Sequence, residues 1–159
     1  DRDSYNGVGP REGDAMPARI LIADDNAQNA DLLAEYLGDG DFEIAIAGDG
    51  EATLEQVRSF RPDVLLLDIM MPRLSGFEVC KRLKGDPATR QLPILMITAL
   101  DQPSDIERAV EAGTDDFLTK PIHRTELLQR VNALLASRQS QDALERTLSY
   151  MEAVERGGR

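Results

Sequence analysis

Val64-Leu65-Leu66-Leu67-Asp68-Ile69-Met70-Met71-Pro72-Arg73-Leu74-Ser75-Gly76 sets an unbroken aliphatic run directly ahead of a carboxylate and a proline-containing turn. A run that is apolar at every position suits a strand covered on both faces, as in a parallel sheet. Ile94–Ile97 repeats the pattern. Working outward, shorter β-rich runs lie at Ile20–Ala23, Phe42–Ala47 and Phe117–Leu118. Between them stand apolar stripes of helical period: Leu32, Leu33, Tyr36 and Leu37; Leu54, Val57 and Phe60; Val79, Cys80 and Leu83. Ile106, Ala109 and Val110 continue the series, and Leu127, Leu128, Val131, Leu134 and Leu135 give its strongest member. Turn signals punctuate the boundaries, at Gly38-Asp39-Gly40, Gly48-Asp49-Gly50, Arg61-Pro62-Asp63, Leu92-Pro93 and Gly113. Alternating strand and helix predict an α/β fold, a doubly wound five-stranded parallel sheet with helices on both faces. Such sheets bind ligands outside the carboxyl ends of their strands.

The residues at those ends are Asp24-Asp25 after the first run, Asp68 after the third, Thr98 after the fourth and Thr119-Lys120-Pro121 after the fifth. Each alone is weak: an Asp after a strand is usually a helix cap or turn residue, and a lone Lys is usually solvated. Their conjunction is the signal. Adjacent carboxylates repel unless a cation holds them. Oxygen ligands select a hard divalent ion, and Mg2+ fits a site of a few carboxylates, a carbonyl and waters.

Composition narrows the alternatives. The chain has 159 residues, 42% hydrophobic and 30% charged, with a formal net charge of −11. That balance argues against direct nucleic-acid binding and against docking on an anionic membrane. The single Cys80 forms no internal disulfide, and no apolar run reaches the ~20 residues of a membrane span, so the cytoplasm is the expected location. Residues 1–18 read as a flexible arm rich in Gly and Pro, with Met16 a candidate translation start.

Asp24-Asp25, the stretch Asp68–Gly76, Thr98-Ala99 and Phe117-Leu118-Thr119-Lys120-Pro121 together resemble the motif set of bacterial two-component response-regulator receiver domains. The resemblance spans about Arg19 to Ala136. Pro72–Leu83 and Ile97–Ile122 also resemble receivers that precede diguanylate cyclase output domains. The resemblance implies a flavodoxin-like sheet with strand order 2-1-3-4-5. It implies that Asp68 accepts a phosphoryl group from a phosphohistidine on a sensor histidine kinase or phosphotransfer protein. Asp24, Asp25, Asp68 and the backbone carbonyl of Met70 would hold Mg2+, with Asp24 acting mainly through water. Lys120 would pair with Asp68 and then with the phosphoryl oxygens, and Lys120-Pro121 matches the family's cis-proline position. Thr98 would hydrogen-bond the acylphosphate, and Phe117 would turn inward as Thr98 moves. The output surface would be the last two strands with the helices around Ile106–Ala112 and Ile122–Ser137. The domain would be a signalling module, not an enzyme, with a second copy of the chain as a candidate partner.

Physical chemistry agrees with these roles. A transferring phosphoryl group carries spread negative charge, so positioning and cation stabilisation do most of the work. Pro72 stiffens the loop after Asp68, and Gly76 is expected to take a backbone conformation denied to other residues. In the family, the side chains two residues after Asp68 and Thr98 flank the path of the water that hydrolyses the acylphosphate; here they are Met70 and Leu100, apolar and unable to orient it, so the resemblance implies slow self-dephosphorylation. Without its motif, Phe117 would read as plain core packing. His123 reads as a flank of the last helix and Cys80 as core. Lys81, Arg82 and Lys84 read as a solvated basic face.

The organisation expected is an arm over 1–18, a receiver over 19–137 and a helical tail or linker over 138–159. Leu144, Leu148, Met151 and Val154 fall at helical spacing and would continue the last helix as a short coiled-coil stripe, ended by Gly157-Gly158. Ser137–Arg159 is too short to fold a DNA-binding, cyclase or phosphodiesterase domain, so the chain is either a stand-alone receiver or a piece cut before its output. Two other classes compete. A haloacid-dehalogenase-type phosphatase would need a second Asp where Met70 stands. A flavodoxin-like cofactor binder would need a phosphate loop where Asp24-Asp25-Asn26 stands, and bare carboxylates repel phosphate. A degenerate receiver is disfavoured because every chemical position is filled.

Overall fold

In the computed structural model the described residues are 17–38 and 40–157, so the arm reading for 1–16 lies outside them. Five strands alternate with five helices: β1 Ala18–Ala23, α1 Ala27–Leu37, β2 Phe42–Ala47, α2 Gly50–Phe60, β3 Val64–Leu67, α3 Gly76–Gly85, β4 Ile94–Thr98, α4 Pro103–Ala112, β5 Asp116–Thr119 and α5 Arg124–Gly157. The sheet is parallel throughout, in the order β2-β1-β3-β4-β5. The doubly wound sheet expected from the sequence is thus the one observed.

The pleat sorts the core into two layers, because successive side chains of a strand point to opposite faces. Leu21, Leu65, Leu67, Ile94 and Met96 face α2, α3 and α4, meeting Val57, Val79, Cys80, Leu83 and Ala109. Ile20, Ile22, Val64, Leu66, Leu95 and Ile97 face α1 and α5, meeting Ala30, Leu33, Leu37, Leu127 and Val131. Full burial stabilises each large aliphatic by about 1.5–3 kcal/mol, so β1, β3 and β4 form the rigid centre from which the carboxyl-end loops project.

The helical stripes need two corrections. Leu32 is exposed, and α1 buries Ala30, Leu33 and Leu37 instead. On α4, Ile106 and Val110 are 42% and 67% exposed, while Ala109 and Ala112 carry the packing. Small residues there let α4 approach the sheet edge, so its larger apolar residues are left facing outward.

Helix starts are capped by Asn26, Asp49 and Ser75, whose side chains accept N–H bonds from Asn29, Ala52 and Glu78. The last helix runs unbroken for 34 residues, a length of about 51 Å at 1.5 Å per residue. Its first half packs on the sheet, whereas Leu144, Leu148, Met151 and Val154 are 50–59% exposed. Among the described residues no helix is long and apolar enough to cross a membrane.

Candidate functional site

The carboxyl ends of β1 and β3 lie side by side, because Asp68 N–H donates to the Ala23 carbonyl at 2.9 Å. Asp24 N–H donates to Ala47 O of β2 at 3.1 Å, which fixes the other side of β1. The carboxylates of Asp24, Asp25 and Asp68 therefore converge, each offering an oxygen within 4.8 Å of the others. Asp24 and Asp68 are buried at 3% and 6% exposure, and Asp25 is open to solvent. Lys120 reaches between the two buried acids, its Nζ 3.2 Å from Asp68 Oδ2 and 3.4 Å from Asp24 Oδ2. The Lys120–Pro121 peptide is cis, and Lys120 N–H donates to Thr98 O at 2.8 Å, registering the β5 end on β4.

Backbone donors hold the outer carboxylate oxygens. Asn26 N–H donates to Asp24 Oδ1 at 2.9 Å, and Met70 N–H donates to Asp68 Oδ1 at 3.0 Å. Burial pushes the Asp24 carboxyl above its ordinary value; the Asn26 bond pulls it down, the Asp68 charge pushes it up, and Lys120 pulls it down. The balance is a carboxyl that resists ionising beside a second buried acid. A divalent cation would relieve that strain, and the all-oxygen donor set fits a hard ion.

Gly76 supports the rim from behind. A Cβ there would lie 2.4 Å from the Asp68 carbonyl oxygen and 2.7 Å from Ile69 Cα. The glycine is required by this close approach, not by the special backbone conformation expected from the sequence. Arg73 is the residue of this loop with a left-handed backbone, at φ 68°, and Gly113 is the positive-φ glycine among the described residues.

A model of the response regulator receiver domain matches residues 20–132 of this chain. The chain belongs to the response regulator receiver family. Among curated relatives, the receiver is 45% identical over 119 residues to response regulator PleD of Caulobacter vibrioides, covering 75% of this chain and 26% of PleD. It is 42% identical over 130 residues to response regulator MprA of Mycobacterium tuberculosis, covering 82% of this chain and 56% of MprA. The chain thus spans about a quarter to a little over half of these relatives' lengths. Among solved structures it resembles a Francisella response regulator receiver domain (TM-score 0.70, 30% identity, 76% of this chain and 98% of that one). It also resembles the chemotaxis protein CheY4 of Vibrio cholerae (TM-score 0.70, 28% identity, 74% and 98%).

Within this receiver the structure brings together Asp24, Asp25, Asp68 and Lys120. Thr98 stands nearby at the β4 end, fully buried, its hydroxyl accepting Leu100 N–H at 3.3 Å. Met70 contacts Asp68 through its amide, and its side chain is 58% exposed. Phe117 sits one layer away, half-buried against the cluster that holds Met96 and Ala109, with Met96 as its β-ladder partner. His123 is exposed and precedes α5, its carbonyl accepting Leu127 N–H at 3.0 Å. Burial pushes the Cys80 thiol up to about 12, consistent with an inert core residue.

The basic face read over Lys81, Arg82 and Lys84 divides. Lys84 Nζ donates to Leu92 O and Asp115 Oδ2, both at 2.8 Å, and to Arg90 O at 3.1 Å, so it is a clamp and not a solvated charge. Two contributors escaped the sequence reading. Arg108 lies 4.1 Å over the Phe77 ring and helps line a cleft of about 450 Å³ with Asp25, Met70 and Leu100. Asp116 takes Phe117 N–H at 2.8 Å and Arg130 Nη1 at 2.7 Å on the same Oδ1, tying β5 to α5. Neither has a local sequence signal, because both are single charges whose partners are set by tertiary packing.

Proposed function

We propose that this receiver takes a phosphoryl group on Asp68 from the phosphohistidine of a sensor kinase or phosphotransfer protein, in a magnesium-dependent reaction. One observation carries the reading: Asp68 is buried at the centre of an oxygen-only cluster, with Lys120 Nζ 3.2 Å away. A carboxylate oxygen of Asp68 attacks phosphorus as the P–N bond breaks, and the imidazole leaves with the electron pair and takes up a proton. Lys120 is placed to pass from the carboxylate to the phosphoryl oxygens as their charge develops. Asp24, Asp25, Asp68 and the Met70 carbonyl would hold Mg2+, which when bound supplies the positive charge that lets a carboxylate approach an anionic phosphoryl group.

The switch is a population shift biased by new hydrogen bonds in the phosphorylated state. Thr98 would be drawn toward the acylphosphate, and Phe117 would fill the space it leaves. Asp116 shares one carboxylate oxygen between Phe117 and Arg130, which gives movement at β5 a route to α5. The α4-β5-α5 face, with Ile106 and Val110 outward, then signals to a partner, a second copy or an attached output domain. We assign the domain to the cytoplasm, as a signalling module and not a turnover enzyme. We take 19–137 as the receiver and the part of α5 that continues past 138 as a helical tail or linker.

Incubation with a small phosphodonor and Mg2+, followed by intact mass, tests this. One phosphoryl adduct is expected in the wild type and none in Asp68→Asn or in EDTA. An adduct that survives Asp68→Asn would overturn the assignment.

A further inference from the structure

The opposite pole of the sheet carries a feature the receiver chemistry does not use. The segments leading into β3 and β4 line an open pocket of about 500 Å³ together with the end of α2 and the middle of α5. Three arginines line it: Arg58 and Arg61 from the receiver body, and Arg138 from the long helix. Against them the lining sets one acid, Asp63, a local excess of positive charge in a chain of net charge −11.

One of these guanidiniums is under-used. Arg138 Nη1 is enclosed and has no hydrogen-bond partner, and its Nε meets Asp142 only at 4.0 Å. Arg58 and Arg61 are exposed and have no carboxylate partner among the described residues, so they are free to meet a ligand, whereas the neighbouring Arg19 and Lys84 are both paired. A buried donor left unmade is costly, so an enclosed orphan N–H is a demand for an acceptor. Arg61 holds its place with a left-handed backbone, φ 54° and ψ 63°, which caps α2 and turns the chain into β3.

The acid lining the cavity is already engaged. Asp63 Oδ2 accepts Arg19 N–H at 2.8 Å. The Gln91 amide is hydrogen-bonded to Glu145 of α5, which closes the cavity beside the helix. Val57, Pro62 and Leu92 supply an apolar wall.

We infer that this pocket binds the polyphosphate group of a small organic phosphate, with its organic part against Val57, Pro62 and Leu92. Guanidinium forks match phosphate oxygens in pairs, and three cations suit a group carrying several negative charges. The volume exceeds what one inorganic phosphate would fill. Because Arg58 and Arg61 belong to the body and Arg138 to the output helix, the ligand would bridge the two. It would hold α5 against the pole furthest from Asp68.

The test is calorimetry on the full chain with ATP and with inorganic pyrophosphate, both in EDTA so that no divalent ion bridges them to the acidic rim. Saturable one-site binding of both is expected, with ATP tighter. Arg138→Gln should weaken ATP binding by about tenfold, and Arg58→Gln with Arg61→Gln by more, from the loss of charge-assisted hydrogen bonds. Lys81→Gln with Arg82→Gln removes the same charge elsewhere and should change affinity less than twofold, roughly the scatter of surface charges. No saturable binding of either probe would overturn the inference. So would equal weakening in the two double variants, which would mean a diffuse charge effect. Pyrophosphate bound as tightly as ATP would overturn the apolar half of the site.

Discussion

The two ends of one sheet are built on opposite electrostatic terms. At the carboxyl end, Asp24, Asp25 and Asp68 crowd within 4.8 Å and share one lysine. At the amino end, apart from the three arginines of the pocket, the charges that hold the loops are matched: Arg19 with Glu43 at 3.2 Å and Phe60 O at 2.8 Å, and Lys84 with Asp115 at 2.8 Å. The amino end uses charge to fasten loops to strands. The carboxyl end keeps like charges together at a cost in stability, which is the signature of a site held ready for a ligand.

The sharpest way to break this contrast is to remove the shared cation. Lys120→Gln should slow phosphoryl uptake from a small donor by roughly 100- to 1,000-fold, the usual effect of losing one positioned charge or donor, as read by the rate of adduct formation. A rate near wild type would mean that Lys120 only neutralises the rim.

The amino end should respond in stability and not in chemistry. Lys84→Met leaves Asp115 and two carbonyls without their cation and should cost about 1–3 kcal/mol in a denaturant melt. Arg82→Met removes only the exposed pair with Glu78 and should cost below about 0.5 kcal/mol. Equal losses would erase the distinction between clamp and surface charge.

A subtler test probes the apolar shoulders of the acidic rim. Met70→Asn with Leu100→Gln should shorten the phosphoryl lifetime about tenfold, equivalent to about 1.4 kcal/mol of barrier. An unchanged decay would leave these residues as packing alone.

The smallest effect concerns Asp24. Its folded-state carboxyl lies above the unfolded value of 3.8, so the folded chain binds more protons in that window. Stability should therefore fall as pH rises from that unfolded value through the raised folded one. Asp24→Asn should raise the metal-free melting temperature at neutral pH by a few degrees, at about 2–4 °C per kcal/mol for this chain length. Added Mg2+ should stabilise the wild type more than the variant. A lower melting temperature for Asp24→Asn would contradict the crowding account.

Much of this was legible in the sequence, for physical reasons. Val64–Leu67 and Ile94–Ile97 are buried on both faces and therefore had to be apolar throughout. Because strand ends converge at one rim, Asp24, Asp68 and Lys120 could be placed together from their positions alone. What was not legible depended on distance between elements. Gly76 answers to the Asp68 carbonyl, a contact no local pattern encodes. Lys84 looked like a solvated charge because its acceptors come from two later loops. Leu32 and Val110 matched a helical stripe yet face outward, since small residues beside them set how close each helix sits.

The account rests on which carboxylate carries the phosphoryl group. Borohydride reduces an acylphosphate to the alcohol, so an aspartyl phosphate is converted to homoserine and can be located by peptide mapping. After phosphorylation in Mg2+, homoserine at position 68 is the predicted result. Homoserine at position 24 or 25, or a phosphoryl group retained on His123, would contradict it.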